Sequence, residues 1–346
     1  MTSTRTHPEW TQPPHVAGAG HVGRLGAVQA WSVRRPLTAF LIIVFGLAYP
    51  LMAVPVLAVR GVIPGGGLVA RLPVPPDELA GLLLAVGALL PAGMFVTWAA
   101  EGRAGVRRLL SRMVRWRVGV GWWLAVLIGL PVLTVGIALL LGDTPRSVDP
   151  VELVVSQLGL LAVNLALVNI WEEAAWMGVF QSRLERRHNI FVAALLTAVP
   201  FGFAHWPLAF FGDVTSGSAA VALAAYLTLG VIFRPMLGVF LRGTRGSVLL
   251  VALLHSVFNR TNNDNGIAAG LLDGDGRRLA MLIAVIAVTG ATAVLIRRRP
   301  GLTRRAETPL LTTLQRSTPQ RGSPSAPARP DSTSTCRSIR ASERMR

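Results

Sequence analysis

The feature that most constrains this chain is a series of long apolar runs, each near the length of a membrane-crossing helix. A spanning helix needs about 20 apolar residues, and the 346-residue sequence has seven runs near or above that length and one shorter run. They lie at 37–59, 79–100, 118–141, 152–181, 190–211, 219–241, 247–259 and 279–296. Charged residues make up only 15% of the chain, against about 25% in soluble domains. We therefore predict an all-α polytopic membrane protein of about eight transmembrane helices.

The segments between and around these runs divide the chain into four predicted regions. Residues 1–35 and 297–346 are polar, and we predict a disordered arm and a disordered Arg-rich tail. Residues 36–150 hold N-terminal transmembrane helices, and residues 151–296 hold a transmembrane core that carries the chemistry described below. Arginines concentrate in alternate connections, for example six at 103–117. This bias predicts a multi-pass protein of the cell membrane with both termini in the cytoplasm.

The basic tail suggests nucleic acid or lipid as a partner. Residues 297–346 hold twelve arginines and three acidic residues. Contact with anionic lipid headgroups explains such a tail without a further function. We therefore expect the lipid bilayer as a partner and no nucleic acid.

Few acidic residues and histidines lie inside the apolar runs. A charge at the bilayer centre costs about 2.5–3.5 kcal/mol, so such residues are usually functional. Among the acidic residues and histidines, only Glu172, Glu173, His205 and His255 lie well inside a run. At about 1.5 Å per residue, Glu172 and His255 lie about 15 and 14 Å from basic connections, and His205 about 25 Å. A tilt of the helix, or a break in it near Pro200, would bring His205 to the depth of Glu172 and His255. We expect these groups to meet in one cytoplasm-facing cavity.

This set of residues is compatible with three kinds of chemistry. A carboxylate and an imidazole can hold and deprotonate water. His255 and Asn259, four residues apart, can donate hydrogen bonds to a developing oxyanion. Together these groups would hydrolyse a peptide bond without a Ser or Cys nucleophile. The same groups could instead bind a divalent metal or relay protons in a transporter, although the two halves of the chain show no repeat of the transporter kind.

Three residues near these groups receive structural interpretations. Arg234 lies near the end of the sixth run, and we interpret it as a side chain that snorkels to the interface. Trp176 is interpreted as an interface anchor. Phe201, four residues before His205, is interpreted as a packing residue.

Three short segments that contain these glutamates and histidines resemble the motifs of the CAAX-protease and bacteriocin-processing (CPBP, or Abi) family of intramembrane endopeptidases. That family's pattern is Glu-Glu-x-x-x-Arg, then Phe-x-x-x-His, then His-x-x-x-Asn on successive helices. The corresponding segments here are 172–177, 201–205 and 255–259, so that the catalytic motifs lie on three helices of the second half.

The resemblance implies a glutamate-dependent protease that acts on a membrane-associated peptide or protein substrate, prenylated in the eukaryotic members. By this resemblance Glu172 would activate water together with His205, while His255 and Asn259 would stabilise the oxyanion. Glu173 would be a supporting carboxylate. No cofactor is firmly predicted, but the family's earlier description as metalloproteases leaves a divalent metal open.

One position departs from the family pattern. Met177 stands where the family has arginine, so we expect Glu173 to lack its cationic partner. Arg183, ten residues further on than Glu173, is a poor substitute at that distance. This departure keeps a second hypothesis open, a non-enzymatic membrane scaffold or bacteriocin-immunity module that retains the fold.

Overall fold

The computed structural model describes residues 24–72, 74–212 and 214–298, most of them helical. We number the longer helices α1 to α9: Arg24–Arg34, Pro36–Val59, Pro76–Met113, Val120–Leu140, Pro150–Leu184, Ile190–Phe211, Ser216–Gly243, Val248–Asn262 and Arg277–Arg298. Short helices lie at Gly66–Val69 and Ile267–Leu271. Two-residue strands lie at Thr144–Pro145 (β1) and Leu272–Asp273 (β2). The all-α prediction is confirmed.

Seven of the described helices, α2 to α7 and α9, are long and apolar enough to cross a membrane. The eighth predicted run forms α8, which has only 15 residues and is therefore about 22 Å long against a hydrocarbon core of about 30 Å. Most of α8 is buried against other helices. Because protein replaces lipid around it, this helix does not need the length of a lipid-facing span.

The segment after α8 nevertheless reaches the same side as the connection between α4 and α5. There β2 pairs with β1 in antiparallel register, Thr144 opposite Asp273 and Pro145 opposite Leu272. An ion pair between Arg146 and Asp273, 2.6 Å between Nη2 and Oδ1, joins the same two connections. The structure therefore places these two connections together, as the arginine pattern predicts for this pair.

The prediction of a disordered arm over residues 1–35 is wrong for its last part. Arg24–Arg34 forms α1, in which Ser32 is buried and Trp31 packs against the hydrophobic core. Such contacts make a short helix stable although its sequence looks polar. Residues 1–23 and the tail from 299 onward lie outside the described residues, so the predictions for them stay predictions.

Within the described residues, four stretches of π-helix interrupt the long helices, at Leu83–Leu89, Ala125–Gly129, Leu165–Asn169 and Trp176–Gln181. Two of them lie in α5 and flank the pair Glu172 and Glu173. π-Helical turns occur frequently at functional sites, because the wider turn changes the direction of nearby side chains. The Glu-Glu pair is therefore held on one short α-helical segment, Ile170–Ala175, between two wide turns.

Small residues let α6 and α7 pack closely and so place the site. A Cβ added to Gly202 would lie 3.1 Å from the N and Cα atoms of Leu227, and one added to Gly230 would lie 3.1 Å from the carbonyl oxygen of Ala198. Close backbone approach through small residues is how membrane helices gain packing energy. The contact brings Arg234, one turn after Gly230, against the Phe201 turn of α6.

Candidate active site

Glu172 is a nearly buried carboxylate with its two oxygens in different surroundings. Its Oε2 accepts a hydrogen bond from Nδ2 of Asn169 at 3.4 Å. Its Oε1 lies 3.5 Å from Nε2 of His205 and 3.8 Å from Nη2 of Arg234, and no described residue donates a hydrogen bond to it. One oxygen is thus held by the protein and the other faces His205.

Glu173 is fully buried and has both oxygens engaged. Its Oε1 accepts a hydrogen bond from Nδ1 of His255 at 2.7 Å, and its Oε2 accepts one from Nη1 of Arg234 at 2.8 Å. The expectation that Glu173 lacks a cationic partner is therefore wrong. The partner comes from α7 rather than from position 177, whereas Arg183 pairs with Glu101 at 3.1 Å.

Arg234 is the first of three site residues that sequence reasoning missed. Its side chain is 0% exposed, so the interpretation as a snorkelling residue is also wrong. Glu173 holds one end of the guanidinium, and Cζ lies 3.8 Å from the ring centroid of Phe201. A desolvated cation–π contact is worth about 2 kcal/mol. The available signal was the arginine itself, because a cation inside an apolar run is functional by default.

Aromatic rings form a wall beside these charges. Phe201 lies between Arg234 and His205, with 4.2 Å between the Phe201 and His205 ring centroids. Trp176 is fully buried and packs edge-on against Phe201 at 6.1 Å, so it is not the interface anchor that its position suggested. The packing role predicted for Phe201 is confirmed, with the addition that it packs against a cation.

The two histidines have defined hydrogen-bonding states because their partners are acceptors. Nδ1 of His205 lies 2.8 Å from the carbonyl oxygen of Phe201, which can only accept, so Nδ1 carries the proton. Nε2 of a neutral His205 is then an acceptor that faces Glu172. Nδ1 of His255 likewise donates to Glu173, and the His255 ring packs against Phe233 with 4.9 Å between centroids.

Asn169 and Ser256 extend the site and were also missed. Both are buried, and the Ser256 hydroxyl donates to Oδ1 of Asn169 at 2.8 Å, which fixes the carboxamide so that Nδ2 faces Glu172. These two hydrogen bonds link Ser256 of α8, through Asn169, to the carboxylate of Glu172 on α5. In the sequence, the only indication of this link was the position of Asn169, a polar residue three positions before Glu172.

Asn259 is the one predicted site residue without an observed contact to the cluster. It lies one turn after His255 in α8 and is half-buried. Its carboxamide makes no hydrogen bond with the residues that the structure describes. The structure therefore brings together Glu172, Glu173, His205 and His255, and it places Asn259 next to them along the helix.

The donor set does not fit a resident divalent metal. Glu172, Glu173 and His255 offer ligand atoms that lie within 4.8 Å of one another. However, both oxygens of Glu173 and Nδ1 of His255 are already paired within the cluster. The guanidinium of Arg234 between the carboxylates would repel a cation. We derive no step through a metal.

Fold and site together define a multi-pass membrane protein with a buried Glu–His–Arg cluster at the meeting point of α5, α6, α7 and α8. Residues 154–261 match the family described as type II CAAX prenyl endopeptidase Rce1-like, which confirms the resemblance found in the motifs and implies a protease. The matched segment contains every residue of the cluster. A search among curated proteins gave no match.

Proposed function

We propose that this protein is an intramembrane endopeptidase in which Glu172 and His205 activate the attacking water. The observation that carries the proposal is the 3.5 Å separation between Oε1 of Glu172 and Nε2 of His205. Both atoms are hydrogen-bond acceptors when His205 has its proton on Nδ1. A water molecule that donates one hydrogen to each would be held between them, with its lone pairs free for a carbonyl carbon.

The reaction then follows from the two oxygens of Glu172. Oε1 takes a proton from the water as the oxygen–carbon bond forms, and the same proton passes to the nitrogen of the leaving amine as the carbon–nitrogen bond breaks. Asn169 holds Oε2 throughout, so the carboxylate keeps its direction. Water and the peptide are consumed, two shorter peptides are formed, and Glu172 returns to its starting state.

The tetrahedral intermediate carries a negative oxygen that needs donors. The amide of Asn259 is not used by another described residue and can donate to it. His255 can donate from Nε2 when it is protonated on both nitrogens, because its Nδ1 proton already faces Glu173. An imidazolium at this position would also balance the charge of two carboxylates and one guanidinium.

We propose a membrane-associated substrate, possessing a lipid or a hydrophobic anchor, that reaches the site from within the bilayer or its cytoplasmic surface. The support is the position of the cluster inside apolar helices and the description of the matching family. The alternative of a non-enzymatic scaffold or immunity module loses its main argument, since Glu173 has a cationic partner after all.

Membranes from cells that produce wild type or Glu172→Gln at equal levels test the proposal. New protein N-termini are compared, and we expect a set present only with wild type, because the amide cannot accept the proton. Glu152→Gln is the matched control, since Glu152 lies in the same helix but is exposed. Identical sets of termini in wild type and Glu172→Gln would contradict the proposal and favour the scaffold hypothesis.

A further inference from the structure

The buried arginine of α7 occupies an unusual place in the sequence. Arg234 lies outside all three motifs, yet it is the cation that pairs with the second glutamate of the first motif, 2.8 Å between Nη1 and Oε2. Residue 177, where the family has its arginine, is a fully buried methionine of the hydrophobic core. The chain therefore meets the need for positive charge from a different helix.

The need for a positive charge beside the two glutamates has a simple electrostatic cause. Glu172 and Glu173 are adjacent carboxylates in a region without bulk water, where like charges repel strongly. A single fixed cation that bonds Glu173 and stays 3.8 Å from Glu172 offsets one of the two negative charges without a hydrogen bond to the reactive oxygen. Glu173 in turn orients His255 through the 2.7 Å hydrogen bond to Nδ1.

We propose that Arg234 is a positioning residue that performs, from α7, the task of the arginine that position 177 lacks. It acts through Glu173, whose carboxylate it fixes so that Glu173 directs His255 toward the oxyanion. This inference rests on the proposed endopeptidase function.

The surroundings of Arg234 are built to hold it in this orientation. The guanidinium lies over the Phe201 ring at 3.8 Å and beside Trp176 at 5.9 Å. The close packing of α6 and α7 at Gly202 and Gly230 brings the two elements together. A planar guanidinium can stack flat on a ring and bond a carboxylate through its edge, whereas the ammonium of lysine is a point charge without this planar fork.

Relocation of the charge provides the test. Full-length Arg234→Met, Arg234→Lys and the exchange variant Met177→Arg/Arg234→Met are purified, and cleavage of the substrate found by N-terminal comparison is measured with thermal unfolding. We expect Arg234→Met to lower kcat by about 100-fold or more, and the exchange variant to recover at least about tenfold of that loss. Arg234→Lys should lower kcat by about tenfold with KM unchanged, because it keeps the charge but loses the planar fork.

Several results would overturn the inference. One is an Arg234→Met variant with the wild-type kcat, and another is a folded exchange variant that cleaves no faster than Arg234→Met. If Arg234→Met does not fold, recovery of both folding and cleavage in the exchange variant supports the inference, and an exchange variant that also fails to fold overturns it. Arg242→Met, an exposed arginine in the same helix, is the control and should cleave as wild type.

Failure of the inference can be distinguished from failure of the proposed function. If Glu172→Gln is inactive while Arg234→Met is fully active, the endopeptidase proposal stands and only the role of Arg234 falls. If Glu172→Gln cleaves as wild type, the proposed mechanism itself is wrong.

Discussion

At the scale of single residues, the two adjacent glutamates have separate tasks because they point in different directions. Side chains one residue apart on a helix differ by about 100°, so Glu173 faces α7 and α8 while Glu172 faces α6. Glu173 has both oxygens bound by His255 and Arg234 and is a structural carboxylate. Glu172 keeps one oxygen unbonded among the described residues and is the reactive carboxylate in our proposal.

Asn169 provides a prediction at this scale. Asn169→Ala removes the donor to Oε2 of Glu172, so the carboxylate can rotate, and we expect kcat to fall by about tenfold. Asn169→Asp should lose more, because it places a third carboxylate beside the pair. Steady-state cleavage rates check both, and Asn164→Ala in the same helix is the control. Equal rates for Asn169→Ala and wild type would show that Glu172 does not need this donor.

Ser256 should act only through Asn169. Ser256→Ala removes the hydrogen bond that fixes the carboxamide, and we expect a smaller loss of kcat in the same direction. The double variant Asn169→Ala/Ser256→Ala should be no slower than Asn169→Ala alone, because residues in one chain of hydrogen bonds are not additive. Additive losses in this double-mutant cycle would indicate that Ser256 has an independent role.

At the scale of helices, the site depends on how closely α6 and α7 approach. His205 and Phe201 lie on α6 and Arg234 on α7, and the glycines at 202 and 230 set the distance between the two backbones. The caps at the helix starts fix where each helix begins: the Asn189 side chain accepts from the amides of residues 191 and 192, and Thr215 forms a capping box with Ser218. The caps thus specify where α6 and α7 begin, and the two glycines separately specify the distance between their backbones.

Gly202→Ala tests the close approach. The added Cβ would lie 3.1 Å from backbone atoms of Leu227, so the helices must separate, and overpacking of this kind costs about 1–3 kcal/mol. We expect a lower Tm in detergent and a reduced cleavage rate. Gly136→Ala in α4 is the control, since a Cβ there has no neighbour within 4 Å, and its Tm should be unchanged or higher. Equal Tm values for Gly202→Ala and wild type would show that the contact can relax.

At the scale of the whole molecule, the helices of the two predicted halves share one core. Phe40 of α2 packs edge-on against Trp176 of α5, 5.4 Å between centroids, so the N-terminal helices support the matched segment directly. The strand pair between residues 144–145 and 272–273 fixes the opposite end. The arginine-rich connections join the other ends of these helices in the sequence, and we predict from the arginine bias that they face the cytoplasm.

The single cysteine of the sequence, Cys336, makes this orientation measurable. The arginine bias predicts that the tail lies in the cytoplasm, so a membrane-impermeant maleimide should label Cys336 only after cells are lysed. In the variant Cys336→Ser/Gly67→Cys the new thiol lies in the exposed connection between α2 and α3 and should be labelled in intact cells. The reverse labelling pattern would show that the predicted orientation is inverted.

The membrane class, the helical runs and the identity of four clustered ionisable residues could all be predicted from the amino-acid sequence. These follow from residue types alone, because ionisable side chains are rare in apolar runs and, where they occur, usually face the interior of the helix bundle. The folded arrangement of the helices was needed to show that Arg234 pairs with Glu173, 61 residues away, and that Ser256 bonds Asn169, 87 residues away. Such pairs depend on the distance and rotation between packed helices, which the local pattern of a single helix does not contain. The same reason applies to the shortness of α8, because a helix of this length is stable there only when neighbouring helices surround it.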